Sequence, residues 1–89
     1  MQSVWKFPVE AIQIQRLEVP KGSKVLSVDT QGEGVVVYAL VSPAQTEKEY
    51  KEIRIYGTGH TIADDIDECT FLGTVKLQEE TLVFHVFYK

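Results

Sequence analysis

Short runs of Val, Ile, Tyr and Phe recur along this 89-residue chain, and turn-forming residues separate them. Apolar positions alternate with a period of two in a strand, whereas they recur every three to four residues in an amphipathic helix. No stretch of the chain keeps the helical period for long. The pattern predicts an all-β fold, a small sandwich or partly closed barrel of about seven mainly antiparallel strands, formed by residues 1–89 as a single domain.

The run VVVYALV, residues 35–41, is apolar at every position. A strand with one wet face alternates apolar and polar residues, so a continuous run indicates a strand covered on both faces or lying in a subunit interface. We expect this run to form the centre of a sheet. Because a chain this short buries only a modest core, a second subunit is a natural source of stability, and we expect a homo-oligomer.

In the segment AIQIQRLEV, residues 11–19, the apolar positions change parity halfway along. The two isoleucines share one face, whereas Leu17 and Val19 fall on the other. One inserted residue near Gln15 and Arg16 restores a single apolar face, so the pattern predicts a β-bulge there.

The net charge of −4 and the pI of about 5.0 disfavour broad contact with nucleic acid or with an anionic membrane, since both depend on summed positive charge. No apolar run approaches the ~20 residues of a membrane helix. The start MQSVWKF lacks the order of a secretion signal. We therefore expect a cytoplasmic protein. Its one cysteine, Cys69, excludes an internal disulfide and a zinc site of several cysteines.

The segment YGTGH, residues 56–60, follows the strand-like stretch YKEIRIYG and carries the most distinctive chemistry. Its glycines leave backbone N–H groups unobstructed, and closely spaced amides form a concave anion site. Arg54 adds a bidentate donor, and Tyr56 adds a ring for stacking on a base. The predicted ligand-binding residues are Arg54, Tyr56, Gly57, Thr58, Gly59 and His60.

A plain turn is the alternative interpretation of the same segment. The two glycines then supply positive φ angles, and His60 hydrogen-bonds locally. The segment lacks the Gly-Lys-Ser/Thr ending of a phosphate-binding loop and the following helix of a dinucleotide fingerprint, so it indicates anion binding at most.

Two further constellations are weaker. His85, in the run LVFHVFY, fits a buried strand position, and a pairing of His85 with His60 as acid and base of a phosphodiesterase has no support from spacing. His60 with Asp64 and Asp65 offers imidazole and carboxylate ligands, but that spacing is not diagnostic of a metal site. We assign no catalytic residue, no metal and no cofactor.

The aromatic residues divide into two groups. Trp5 and Tyr38 are expected to pack in the interior. Tyr50 and Tyr56 share the parity of Arg54 on a charged face, so we expect them at the surface, where amphipathic aromatics serve interfaces and stacking pockets.

Five phrases carry a resemblance beyond pattern: WKF, VPKGSKVLSV, VYALVSP, IRIYGTGHTI and LVFHVF, in this order along nearly the whole chain. The chain resembles a family of short, largely uncharacterised proteins encoded by bacteriophages and prophages. The resemblance transfers no chemistry to single residues. It implies a setting, which is the cytoplasm of a bacterial host.

In that setting we expect a non-enzymatic homo-oligomer that binds and sequesters a small anionic nucleotide, namely a cyclic nucleotide signal of host immunity. Such a protein is an anti-defence sponge. The alternative is a protein-binding module, either an inhibitor of a host enzyme or a minor virion component, and a two-histidine phosphodiesterase is a weaker third.

Overall fold

A computed structural model describes all 89 residues and confirms the all-β prediction. Seven strands and one short 3₁₀ segment, Asp64–Glu68, make up the fold. The strands are, in chain order, β1 (Ser3–Val9), β2 (Ile14–Pro20), β3 (Lys24–Gln31), β4 (Gly34–Val41), β5 (Lys48–Gly57), β6 (Thr70–Leu77) and β7 (Leu82–Tyr88). The 3₁₀ segment has only five residues, and no helix of the fold could cross a membrane.

The strands form two antiparallel sheets that pack as an open sandwich and do not close into a barrel. One sheet has the order β1-β4-β3, and the other has the order β2-β5-β7-β6. β3 and β6 approach each other and join the two sheets along one side. The core between the sheets is built from Val35, Ile53, Ile55, Val75, Leu77 and Val86.

β4 is the central strand of the three-stranded sheet, as its continuous apolar run predicts. Val35, Val37, Ala39 and Val41 point into the sandwich and are almost completely buried. The intervening residues lie on the opposite, outer face of the sheet, because side chains alternate along a strand.

β2 pairs with β5 residue for residue along its whole length. The predicted bulge near Gln15 and Arg16 is therefore wrong. The change of parity requires no bulge because the strand begins only at Ile14. Ile12 lies in the preceding bend, and the side chains of Ile12 and Ile14 are both about half exposed. Leu17 then packs against the core, and the bulges of this fold occur in β3 and β6 instead.

β5 positions the residues of the predicted site. Ile53 and Ile55 point into the sandwich, so Arg54 and Tyr56 point to the outer face of the four-stranded sheet. The strand ends at Gly57, beside the hairpin of β6 and β7.

Candidate functional site

Residues 57–60 form a closed turn. The backbone N–H of His60 donates to the carbonyl of Gly57 at 3.1 Å, so Thr58 and Gly59 are the two central residues. Gly59 has a φ of +86°. A positive φ at the second central position is the mark of a type II turn, and it explains a glycine at this position.

The turn uses most of its own amides. The N–H of Gly57 donates to Nδ1 of His60 at 3.2 Å, and the N–H of Thr58 donates to the carbonyl of Val83 at 3.2 Å. Together with the bond that closes the turn, these contacts leave Gly59 as the residue of the turn whose N–H has no acceptor in the chain. The loop thus offers one free amide rather than a nest of several.

The contact with Gly57 fixes the chemistry of the His60 ring. A backbone amide is always a donor, so Nδ1 must accept, and the proton of the neutral imidazole resides on Nε2. The ring lies over the α-carbon of Gly57, where the position of an added Cβ would be 2.8 Å from Cε1 of His60. His60 therefore presents a single, oriented N–H donor.

A pocket of about 220 Å³ opens beside this turn, between the end of β5 and the β6–β7 hairpin. Its lining residues are Gly57, Thr58, His60, Thr81, Leu82, Val83 and Phe84. The turn supplies a polar side and β7 an apolar side. Three of the residues predicted from the sequence, Gly57, Thr58 and His60, thus meet in one cavity, and no lysine or arginine lines it.

Arg54 lies away from this pocket, on the outer face of the sheet, and is only 4% exposed. Its terminal nitrogens donate to both carboxylate oxygens of Asp65, at 2.7 and 2.8 Å, and its Nε donates to Glu52 at 2.7 Å. These hydrogen bonds raise the pKa of Arg54 and hold the pKa of the Asp65 carboxyl at about 2. The guanidinium therefore holds the 3₁₀ segment against β5.

The same contacts argue against a metal site formed by His60, Asp64 and Asp65. Both oxygens of Asp65 face Arg54, and no group of three or more His, Cys, Asp and Glu side chains is arranged around a common point. Within the acidic segment, Asp65 pairs with Arg54 on β5, and Asp65 and Glu68 each lie 4.0 Å from the ammonium of Lys89.

Tyr56 shares the outer face with Arg54 and is 2% exposed, so the expectation of a surface role for it is wrong. Its ring packs edge-on against Phe87, with centroids 6.2 Å apart. Tyr50 is at the surface, 58% exposed, and the guanidinium of Arg16 lies 5.4 Å from the centre of its ring. Trp5, expected in the interior, is 37% exposed.

His85, on β7, contacts the turn that follows β5 and the neighbouring strand β6. Its Nε2 lies 2.7 Å from Oγ1 of Thr58, and its Nδ1 lies 3.0 Å from Oγ1 of Thr74. In the sheet His85 pairs with Tyr56, so it belongs to the outer face, whereas His60 covers the inner side of Gly57. The two imidazoles lie on opposite faces of the sheet and do not share a substrate position.

Comparison with known proteins identifies one relationship. The family model of a domain of unknown function, DUF7352, matches residues 1–89. No curated protein and no solved structure matches the chain.

Proposed function

The chain belongs to the DUF7352 family, and we propose that it is a non-enzymatic protein that binds and sequesters a small anionic nucleotide, a signal of bacterial immunity, in the host cytoplasm. The observation that carries the proposal is the pocket of about 220 Å³ at the end of β5. One side of it offers hydrogen-bond donors and the other an aromatic and aliphatic wall, which are the two surfaces that a nucleotide needs.

The polar side suits acceptor atoms of the ligand. His60 lines the cavity and carries its donor on Nε2, and phosphate oxygens only accept. A hydrogen bond to a charged group contributes about 1.5–3 kcal/mol. Because no lysine or arginine lines the pocket, the affinity should vary little with ionic strength.

The apolar side suits a base. Leu82 and Phe84 share one face of β7 and line the cavity, and stacking of a base on an aromatic ring contributes about 1–3 kcal/mol. The cavity is smaller than the roughly 300–1,000 Å³ of sites that enclose a whole ligand. We therefore assign it one unit of a larger nucleotide, with the remainder of the ligand outside it.

The surroundings of the nearest base support binding without conversion. The hydroxyl of Thr58 contacts His85, as a nucleophile contacts its general base. The far nitrogen of His85, however, meets the hydroxyl of Thr74. A hydroxyl carries no charge to stabilise the imidazolium that forms when a base takes a proton, unlike the carboxylate of a catalytic triad.

Native mass spectrometry of the purified protein tests the proposal, with a panel of cyclic dinucleotides, cyclic trinucleotides and cyclic ADP-ribose isomers. We expect one of these masses to be gained stoichiometrically and released intact on denaturation. The His60→Ala variant should lose the gain, while Lys76→Ala, an exposed change outside the pocket lining, should keep it. No gain across the panel would overturn the nucleotide assignment, and equal binding by His60→Ala would overturn the site.

A protein-binding role is the second candidate, and one observation favours it. Ile14, Tyr50 and Phe71 are each more than half exposed on the outer face of the four-stranded sheet. Exposed apolar side chains on one face are typical of interaction surfaces. A host protein that co-purifies with the wild type and with His60→Ala, but is lost from Tyr50→Lys, would select this function over nucleotide binding.

A further inference from the structure

The outer face of β4 is apolar, although the second sheet covers only its inner face. Val36, Tyr38 and Leu40 point outward, and Val36 is only 4% exposed. Part of the burial of Val36 is due to Lys6. Its side chain starts on β1, and its Nζ donates to Oε1 of Gln31 on β3, at 2.6 Å. The lysine stem therefore crosses β4, whereas Val4 on β1 is 54% exposed and Tyr38 and Leu40 are half-buried.

The register of β1, β4 and β3 arranges this outer face as a small grid. Paired residues in antiparallel strands place their side chains on the same face. Three rows cross the face: Val4, Leu40 and Lys24; then Lys6, Tyr38 and Ser27; then Pro8, Val36 and Asp29. The two outer rows each have an apolar pair on β1 and β4 and a charged residue on β3, and the two charges are opposite.

This grid is complementary to itself. A two-fold axis that runs across the strands at the level of Tyr38 exchanges the two outer rows and keeps each strand over its own copy. Lys24 then faces Asp29 of the partner subunit, and Leu40 faces Val36 of the partner subunit. A two-fold axis along the strands would instead place Lys24 over an apolar residue of β1 and leave both charges unpaired.

We propose that the outer face of the β1-β4-β3 sheet is a homodimer interface, occupied by a second copy of this chain about the first of these axes. Isologous contacts of this kind are the commonest route to soluble oligomers. The apolar side chains of β1 and β4 provide the driving force, and the Lys24–Asp29 pairs at the two ends set the register. In the middle row Lys6 faces Lys6 of the partner subunit, and each of these ammonium groups is directed along its own sheet to Gln31. The inference does not depend on the nucleotide proposal, because the interface lies on a different sheet from the pocket.

Charge reversal tests the pairing directly, with mass measured by light scattering or sedimentation. The wild type should show twice the 10.1 kDa chain mass. Lys24→Asp and Asp29→Lys each oppose like charges at both ends of the interface, so each should raise the dimer dissociation constant at least about tenfold. Lys48→Asp, an exposed change on the other sheet, should leave the dimer intact.

Mixing the two charge-reversed variants gives the decisive measurement. In the mixed dimer every end again pairs opposite charges, so the two weakened proteins should assemble with each other, and the Lys24→Asp/Asp29→Lys double variant should dimerise with itself. Loss of folding cannot imitate this recovery. A wild type that stays at the chain mass, or a mixture that associates no better than its components, would overturn the interface.

Discussion

The imidazole of His60 occupies the space that a side chain at residue 57 would need. Its Cε1 lies 2.8 Å from the position of a Cβ on Gly57, while its Nδ1 accepts the N–H of the same glycine at 3.2 Å. The His60 ring, which borders the pocket, can therefore occupy this position because residue 57 has no side chain.

Replacing Gly57 by alanine should destabilise the protein by about 1–3 kcal/mol, because the ring of His60 must move and its hydrogen bond is lost. In a His60→Ala background the same change should have a much smaller effect, since the ring is gone. Urea unfolding of the single and double variants measures the coupling.

Gly34→Ala is the matched control for this cycle, because a Cβ there meets only the carbonyl oxygen of Gln31, at 3.6 Å. It should change the unfolding free energy by less than about 1 kcal/mol. Equal effects of Gly57→Ala with and without His60 would contradict the proposed seating of the ring.

The Arg54–Asp65 pair should make stability fall in acid. Hydrogen bonds from Arg54 lower the pKa of the Asp65 carboxyl from its ordinary 3.8 to about 2. The stabilisation is full above about pH 4, where the carboxyl is ionised even in the unfolded chain, and it is lost as the pH falls toward about 2. Urea midpoints of the wild type and Asp65→Asn should therefore differ most at neutral pH and converge toward pH 2.

Asp67→Asn provides the comparison within the same 3₁₀ segment, since Asp67 is exposed and makes no ion pair. Its midpoint should stay close to that of the wild type at neutral pH. A difference between wild type and Asp65→Asn that persists undiminished at pH 2 would show that the ion pair is not its source.

The β6–β7 hairpin should be improved by glycine. The loop between the strands, residues 78–81, has Gln78, Glu79 and Glu80 at φ of 50°, 55° and 71°. The N–H of Thr81 donates to the carbonyl of Gln78 at 3.1 Å, so Glu79 and Glu80 are the two central residues of the turn. Two positive φ angles define a type I′ turn, where Asn-Gly is favoured. Glu80→Gly should raise the unfolding free energy by about 0.5–1 kcal/mol, after the greater freedom of glycine in the unfolded chain is subtracted.

Glu33→Gly is the control, because Glu33 lies in the β3–β4 turn without a positive φ. The same exchange should there be neutral or destabilising. Thermal unfolding of both variants separates relief of backbone strain from a general effect of losing an acidic side chain, and stabilisation by both would contradict the turn assignment.

Ile53 should be among the most sensitive core positions. It is completely buried, and truncation of such a residue to alanine reduces the unfolding free energy by about 2–5 kcal/mol. Ile62→Ala, at a residue 38% exposed before the 3₁₀ segment, should change it by no more than about 0.5 kcal/mol. Similar urea midpoints for both variants would contradict the assigned core.

The strand content was accessible from the sequence because alternation and turn residues are local signals. The apolar run of β4 predicts a central strand, and the turn residues QGEG, at 31–34, and QEE, at 78–80, predict two of the hairpins. The division into two sheets was not accessible, since β1 pairs with β4 and β2 pairs with β5 across intervening strands. Such pairings depend on contacts distant in sequence.

The candidate site could likewise be predicted only in part from the sequence. Parity alone places Tyr50, Arg54 and Tyr56 on one face of β5, and the structure agrees. Parity does not reveal which part of that face is covered. The 3₁₀ segment covers Arg54 and leaves Tyr50 exposed. The one sequence signal for this is the acidic run DDIDE, residues 64–68, whose charge is opposite to that of Arg54.

The pairing of Arg54 with Asp65 also constrains how this sequence can diverge. Loss of Asp65 leaves the buried guanidinium of Arg54 with Glu52 as its one acidic partner, and loss of Arg54 removes both hydrogen bonds of the Asp65 carboxylate. Single substitutions at the two positions should therefore be counter-selected, whereas joint replacement by apolar residues is tolerated far better. The two positions, eleven residues apart, should therefore change together or remain unchanged across the family. Selection therefore acts on the two positions together.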